Sequence, residues 1–188
     1  MRDLSLHLMD ILQNSISAGA DTVLIRIEAD KSADQLLIII DDNGTGIDRC
    51  LLDKVTDPFM TSRTTRKIGL GIPLFKASAN KAGGELEIES VKGKGTTIKA
   101  VFKISHIDRL PLGDLAETVV TLIGGRPDIR FKIELYNMKE NFRIDTLEIE
   151  DRLQDVPISN YEVLMWIKEY INEGVKIIFG GVLDEILS

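Results

Sequence analysis

Five polar side chains near the start of the chain recur at spacings of four, three, four and three residues: Asp3, His7, Asp10, Asn14 and Ser17. At 3.6 residues per turn they form one narrow stripe along a helix. The amide oxygen of Asn14 is a type of ligand that Mg²⁺ accepts in an octahedron shared with phosphates and water. Asp10, one turn earlier, could orient or deprotonate a water or hydroxyl near a γ-phosphate. Alone, such a pair is usually a surface feature.

A second cluster, Asp42-Asn43-Gly44-Thr45-Gly46, directly follows a continuous aliphatic run. A carboxylate at the end of a buried strand can accept a hydrogen bond from the exocyclic amine of adenine. The two glycines allow the backbone to approach the base closely. Taken alone, a tight turn after a strand explains this cluster equally well.

Two further clusters contain glycine. Gly69-Leu70-Gly71 enters a predicted helix, where free amides and the helix dipole favour phosphate. The preceding polar segment 57–67 contains three basic residues that could fold over a triphosphate as a lid: Arg63, Arg66 and Lys67. The fourth cluster, residues 93–96, ends in Thr96 and is equally compatible with a plain hairpin turn.

The hydrophobic pattern of the sequence predicts the helices and strands that carry these clusters. It predicts helices at residues 3–18, 49–56 and 71–82, and strands at 22–29, 35–40, 85–90 and 96–104. This order indicates an α/β (α+β) two-layer sandwich with helices on one face of a mixed sheet. After a linker at 106–113, we expect a helix at 114–123, a hairpin at 129–136 and 142–145, and helical segments at 148–153 and 160–172. The predicted units are residues 1–105 and a small α+β appendage, residues 106–188.

Composition narrows the setting. The chain has 188 residues and a single cysteine, Cys50, so no intramolecular disulfide can form. Neither a signal peptide nor an apolar run long enough to cross a membrane is visible, which predicts a cytoplasmic protein. The formal net charge of −7 lies entirely after Lys103. An acidic surface repels phosphate backbones, so we expect no nucleic-acid partner.

In this fixed order the clusters resemble the sequence boxes of the GHKL ATPases, the superfamily of histidine kinases, DNA gyrase and MutL. Residues 12–20 resemble the N-box, 42–46 the D-x-G-x-G adenine box, and 57–59 the phenylalanine box. Residues 68–72 resemble the second glycine box, and 93–96 the G-x-G-T box. The resemblance covers a little over half of the chain, and the combination is far more specific than any single box.

The resemblance implies a Bergerat-type fold, ATP as ligand and Mg²⁺ as cofactor. By position, Asn14 would coordinate the metal, Asp42 would bind the adenine amine, and Thr96 would support it. The other implied ATP-binding residues are Gly44, Gly46, Ile47, Phe59, Arg63, Arg66, Lys67, Gly69, Leu70, Gly71 and Ile72.

Two departures from the family pattern leave the activity open. Ser17 stands where histidine kinases usually carry a basic residue. Asp10, the candidate general base, replaces the Glu of gyrase and MutL and the Asn of most histidine kinases. We expect no helical hairpin with a phosphoacceptor His before the domain, and therefore no conventional internal substrate. The whole chain resembles small stand-alone bacterial ATP-binding proteins of the histidine-kinase-like kind.

We therefore expect an ATP-dependent protein kinase in signal transduction that acts on a separate protein partner. The alternatives are an ATPase conformational switch, as in MutL or gyrase, and a nucleotide-sensing module with little turnover. His106 lies in a stretch that faintly resembles a phosphoacceptor pattern, but we favour a linker there. The acidic second unit is expected to dock a partner, and the oligomeric state stays open.

Overall fold

A computed structural model describes residues 2–55 and 71–183, without the side chains of Asp53 and Lys54. In chain order the elements are α1 Leu4–Ser17, β1 Thr22–Asp30, β2 Gln35–Asp42, α2 Arg49–Val55, α3 Gly71–Lys81, β3 Glu85–Val91, β4 Gly95–Lys103, α4 Leu115–Gly125, β5 Arg130–Asn137, β6 Asn141–Asp145, α5 Thr146–Leu153 and α6 Tyr161–Phe179.

Six strands form one mixed sheet in the order β3-β4-β2-β1-β5-β6. Among the strands of residues 2–55 and 71–183, only the β1–β5 pair is parallel, with Val23 opposite Phe131, and the other four pairs are antiparallel. Along β1, β2 and β5 every second residue is buried, because successive side chains point to opposite faces of the sheet. The sheet therefore places the end of β2 beside the start of β4, where Asp42 pairs with Thr96.

The helical layer covers the buried face of this sheet. Helices contact one another in the order α3-α1-α4-α6, with α3 on β3 and β4 and α6 on β5 and β6. One continuous core joins them and includes residues from both ends of the chain. The predicted two-layer α/β class with a mixed sheet is confirmed. Residues after Ser105 contribute two strands to the same sheet and two helices to the same layer.

The connection between β4 and α4 is irregular but firmly packed. Arg109 is almost completely buried, and its guanidinium group donates hydrogen bonds to the carbonyls of Ile104 (2.7 Å) and Leu183 (3.1 Å). A buried arginine head group needs such acceptors because its charge cannot be left unsolvated. No helix within residues 2–55 and 71–183 is long and apolar enough to cross a membrane.

Candidate functional site

A cavity of about 430 Å³ opens between the second half of α1, the end of β2 and the start of α3. Its walls are mostly aliphatic, from Ile11, Ile47, Leu51, Ile72 and Ile98. Its polar lining comes from Asn14, Ser15, Ser17, Asp42, Thr45, Asp48 and Thr96. A mostly apolar pocket with a few fixed polar groups is the usual form of a small-molecule site.

Asp42 is the buried carboxylate of this cavity and is only 8% exposed. Its Oδ1 accepts a hydrogen bond from the Gly44 amide at 3.0 Å, and its Oδ2 accepts one from the Ser15 hydroxyl at 2.7 Å. Each carboxylate oxygen can accept a second bond. Both donors therefore fix the orientation of Asp42 while leaving it capacity for a ligand donor.

Sequence reasoning missed Ser15 and Ser90. The Ser15 hydroxyl holds Asp42 from α1. Ser90 Oγ accepts the Ile47 amide at 2.7 Å and lies 2.9 Å from the Thr96 hydroxyl. The signal for Ser15 was its place directly after Asn14, which turns it toward the sheet. No local signal marks Ser90, because its bond to the Ile47 amide joins the β3–β4 hairpin to a loop 43 positions earlier in the chain.

The glycines of the 42–46 turn serve close packing of the backbone. Gly46 has φ +65°, and a Cβ there would overlap the carbonyl of Val91 in the β3–β4 hairpin. At Gly44 a Cβ would lie 3.0 Å from the Ala18 carbonyl at the end of α1. Both positions thus fix the turn against α1 and the hairpin, which sets the shape of the cavity.

The polar stripe of α1 runs from the core to the cavity. Asp3 accepts the Leu6 amide at 3.0 Å and caps the helix. His7 is buried with its ring centroid 5.5 Å from that of Phe75, and its Nδ1 has no hydrogen-bond partner within the described residues. Burial lowers the pKa of His7, although Asp10 and Asp3 oppose this.

Asp10 lies against the first turn of α3. A Cβ built on Gly71 would lie 2.9 Å from the Asp10 Cβ and 3.6 Å from its Oδ2, so only glycine fits there without displacement. Asn14, one turn later, is half-buried in the cavity lining. Asn14 thus lines the cavity, whereas Asp10 lies outside the cavity lining, against Gly71, which directly precedes the lining residue Ile72.

Of the other residues expected from sequence, Gly46, Ile47, Ile72 and Thr96 line the cavity, and Gly44 lies beside it. Six expected site residues lie outside the described residues: Phe59, Arg63, Arg66, Lys67, Gly69 and Leu70. His106 lies at the far end of α3, beside Gly83, and its Nδ1 accepts the Asp108 amide at 3.1 Å. With α3 about 16 Å long at 1.5 Å per residue, His106 is remote from the cavity.

These features define a small-molecule binding site on a two-layer α/β fold, and comparison with known proteins gives the family. Residues 2–106 match the family described as histidine kinase-, DNA gyrase B- and HSP90-like ATPase. Because the match covers more than half of the chain, the protein belongs to this GHKL family.

Curated relatives are similar over the same part of the chain. The signal transduction histidine-protein kinase AtoS of Escherichia coli is 35% identical over 99 residues, which is 52% of this chain and 16% of AtoS. The non-motile and phage-resistance protein of Caulobacter vibrioides is 32% identical over 111 residues, 54% of this chain and 13% of that protein. The chain thus covers only a small part of the length of either relative.

One solved structure supports the fold. The N-terminal domain of a DNA repair protein superposes with a TM-score of 0.50 at 17% identity. The match covers 77% of this chain and 52% of that one. At this identity the likeness concerns the fold alone.

Proposed function

We propose that this protein binds Mg–ATP in the cavity and transfers the γ-phosphoryl group to a side chain of a separate protein. The observation that carries the proposal is the buried, doubly hydrogen-bonded Asp42 in a mostly aliphatic cavity that Asn14 also lines. Asp10 lies one turn before Asn14, against the first residue of α3. Membership of the GHKL family supports ATP as the ligand.

The adenine ring would lie between the aliphatic walls, with its exocyclic amine donating to Asp42. Asp42 already accepts two hydrogen bonds from the protein, and an N–H group of the ligand would donate a further one. The carbonyl oxygen of guanine at the same position would instead face the carboxylate oxygens. The slot therefore favours ATP over GTP. Thr96, held through Ser90, would support the base from β4.

A magnesium ion fits the oxygen chemistry of the cavity around Asn14. Within the described residues there is no group of three or more His, Cys, Asp or Glu side chains that could hold a metal. Mg²⁺ commonly takes one or two protein oxygens and completes its octahedron with phosphate oxygens and water. The Asn14 amide oxygen supplies such a ligand, and the ion would neutralise charge on the phosphates.

Asp10 favours a second candidate, hydrolysis that drives a conformational switch. A carboxylate packed on the first turn of α3 can orient a water as readily as an acceptor hydroxyl. The two functions differ in where the phosphoryl group goes. Within the described residues, the cavity lining contains no histidine, and His106 lies at the other end of α3. A phosphoryl acceptor on another protein therefore fits the geometry better than His106 of this chain.

The test uses the full chain with γ-labelled ATP and Mg²⁺, alone and with cell lysate. We expect label on a distinct lysate protein and little free phosphate from the chain alone. Asn14→Ala should abolish the transfer, whereas Asn172→Ala, an exposed asparagine on α6, should leave it intact. Free phosphate as the sole labelled product would establish the switch instead, and bound ATP without turnover would establish a sensor.

A further inference from the structure

A row of three aromatic rings lies on the outer side of α6, away from the nucleotide cavity. The centroid of Phe142 from β6 lies 4.9 Å from that of Tyr170, and Tyr170 stacks on Trp166 at 5.4 Å with an interplanar angle of 9°. Trp166 remains 52% exposed and Tyr170 38%. We call Phe142, Tyr170 and Trp166 the aromatic row.

The aromatic row is held in place from beneath. A Cβ at Gly174 would lie 2.6 Å from the Phe142 ring, so the glycine leaves room for that ring against α6. Stacking then fixes Tyr170 and Trp166 along the helix. Rigid, half-exposed aromatic rings lose little conformational entropy on binding and are enriched at the centres of protein interfaces. This surface is thus already ordered for a partner.

Acidic side chains flank the row on the same side of the helix. At 100° per residue, Glu162, Glu169 and Glu173 lie within about 60° of Trp166. None of the three makes an ion pair with any residue in the described ranges, whereas Lys168 is engaged by Glu117 at 2.6 Å. Lys176, one turn after Glu173, is the basic residue at the edge of this face. The face therefore presents exposed rings among uncompensated carboxylates.

We propose that this face of α6 docks a basic amphipathic segment of a partner protein. Arginine or lysine side chains would lie over the rings of Trp166 and Tyr170 and pair with the flanking carboxylates, while apolar residues cover the row. The whole acidic excess of the chain lies after Lys103, so the long-range field also steers a basic partner here.

Charge excludes the other occupants. In a two-fold pairing of α6 with a second copy, the carboxylates of Glu162, Glu169 and Glu173 on one copy would lie near those on the other. The last five residues of the chain contain Asp184 and Glu185, so they too have the wrong sign. An anionic membrane surface would be repelled for the same reason. The proposal is independent of whether ATP is transferred, hydrolysed or only bound.

Trp166 is the only tryptophan in the chain, so its fluorescence reports on this face alone. The probe is a helix-forming peptide of about 18 residues, five helical turns, with a leucine stripe flanked by arginines. Two matched peptides carry glutamate in place of arginine, or the same residues in scrambled order. We expect saturable quenching or a spectral shift with the basic amphipathic peptide, weakening as salt is raised.

Variants locate the binding. The triple variant E162Q/E169Q/E173Q should lower the affinity for the basic peptide on the order of tenfold, because it removes the three carboxylates that flank the aromatic row. E85Q/E87Q/E89Q removes the same charge from exposed positions on β3, at the opposite edge of the sheet, and should leave binding unchanged. Calorimetry on Trp166→Ala should show a similar or larger loss.

Three results would overturn the proposal. The first is no response of Trp166 to the basic peptide, or an equal response to the acidic one. The second is equal weakening by both triple variants, which would reduce the effect to net charge. The third is a concentration-dependent dimer in sedimentation that Trp166→Ala dissociates, which would assign the face to a second copy of the chain.

Discussion

The nucleotide cavity and the aromatic row of α6 lie in one helical layer but are built in opposite ways. In the cavity, polar groups such as Asp42 are buried and point inward between aliphatic walls. On α6, Trp166 and Tyr170 point outward, and the nearby polar groups are exposed carboxylates. The first arrangement encloses a small ligand, and the second offers area to a large one.

The difference also determines what sequence can reveal. A cavity for a nucleotide needs particular residue types at particular spacings, and these leave motifs. A docking surface needs only a group of aromatic and charged residues on one face, for which many sequences serve. If the two regions are built independently, substitutions in one should leave the function of the other unchanged.

Gly95→Ala should be the most damaging substitution. Gly95 has φ +124°, and a Cβ there would overlap the backbone carbonyl of Asp42. Backbone atoms at a strand pair cannot move aside, so we expect a loss of about 3 kcal/mol or more in the free energy of unfolding. Gly93→Ala, in the same turn with φ +80° but open space around it, should lose only about 1–2 kcal/mol.

Denaturation of Gly95→Ala, followed in parallel by Trp166 fluorescence and by circular dichroism, tests whether the cavity region and α6 unfold together. A single core spans both regions, so the two midpoints should fall together. If the Trp166 midpoint stays at its wild-type value while the circular dichroism midpoint falls, the α6 region is a separate folding unit.

How far the sequence predicted the structure depends on the range of the interactions involved. Periodicity predicted α1, β1 and β2 to within two residues, because their burial is a regular local pattern. It ended the last helix at residue 172, whereas α6 continues to Phe179. Within α6, the Phe142 ring lies against Gly174, a long-range contact that no local pattern shows.

The pairing of strands that lie far apart in the chain could not be predicted from the sequence. The parallel β1–β5 pair joins residues more than a hundred positions apart, and no local pattern indicates it. In the site, the clusters around Asn14, Asp42 and Thr96 were found from their types and spacing. Ser90 was not, because its role arises only when the hairpin meets the loop after β2.

Asp145→Asn should destabilise the α6 side of the sheet. Asp145 is buried, receives two hydrogen bonds from Arg130 at 2.9 and 2.7 Å, and caps α5 through the Leu147 amide. Loss of its charge leaves Arg130 without its counter-ion and weakens the cap, so we expect a loss of about 2–3 kcal/mol in the free energy of unfolding. Asp128→Asn breaks the exposed pair with Arg126 and should have a much smaller effect, because solvent screens that pair.

The pH dependence gives an independent check on Asp145. The bond from Arg130 lowers the pKa of Asp145 below its ordinary value of 3.8. The pair therefore contributes its full stability above that value and loses it as the pH falls through the lower folded pKa. The difference between wild type and Asp145→Asn in urea denaturation should shrink in that acidic window. A difference that does not change with pH would show that charge is not the source.

Asp42→Asn should weaken ATP binding without affecting α6. A hydrogen bond to a charged acceptor contributes about 1.5–3 kcal/mol, which corresponds to about 10- to 100-fold in affinity. Asp41→Asn is the matched control, because Asp41 lies on the opposite face of β2 and outside the cavity lining. Calorimetry with ATP and GTP gives the readout. Equal affinities of the wild type for the two nucleotides would contradict the role of Asp42.

The smallest expected effect concerns His7, the buried histidine on the polar stripe of α1. Burial lowers its pKa below the ordinary 6.5, so the unfolded chain binds a proton there that the folded chain resists. Stability must therefore fall as the pH drops below 6.5, toward the lower folded pKa. His7→Leu removes this titration while keeping an apolar contact with Phe75. His106, the other histidine, is unchanged in both proteins and cannot create a difference between them.

Urea denaturation of wild type and His7→Leu between pH 8 and pH 5 tests this directly. The free energy of unfolding of the variant relative to wild type should be constant above pH 7 and rise steadily below 6.5. Because His7 lies between α1 and α3, ATP affinity should weaken with the same pH dependence in wild type only, while peptide binding at Trp166 should not. Parallel pH curves for the two proteins would show that His7 takes up its proton in the folded state without cost, and that the α1–α3 contact tolerates the charge.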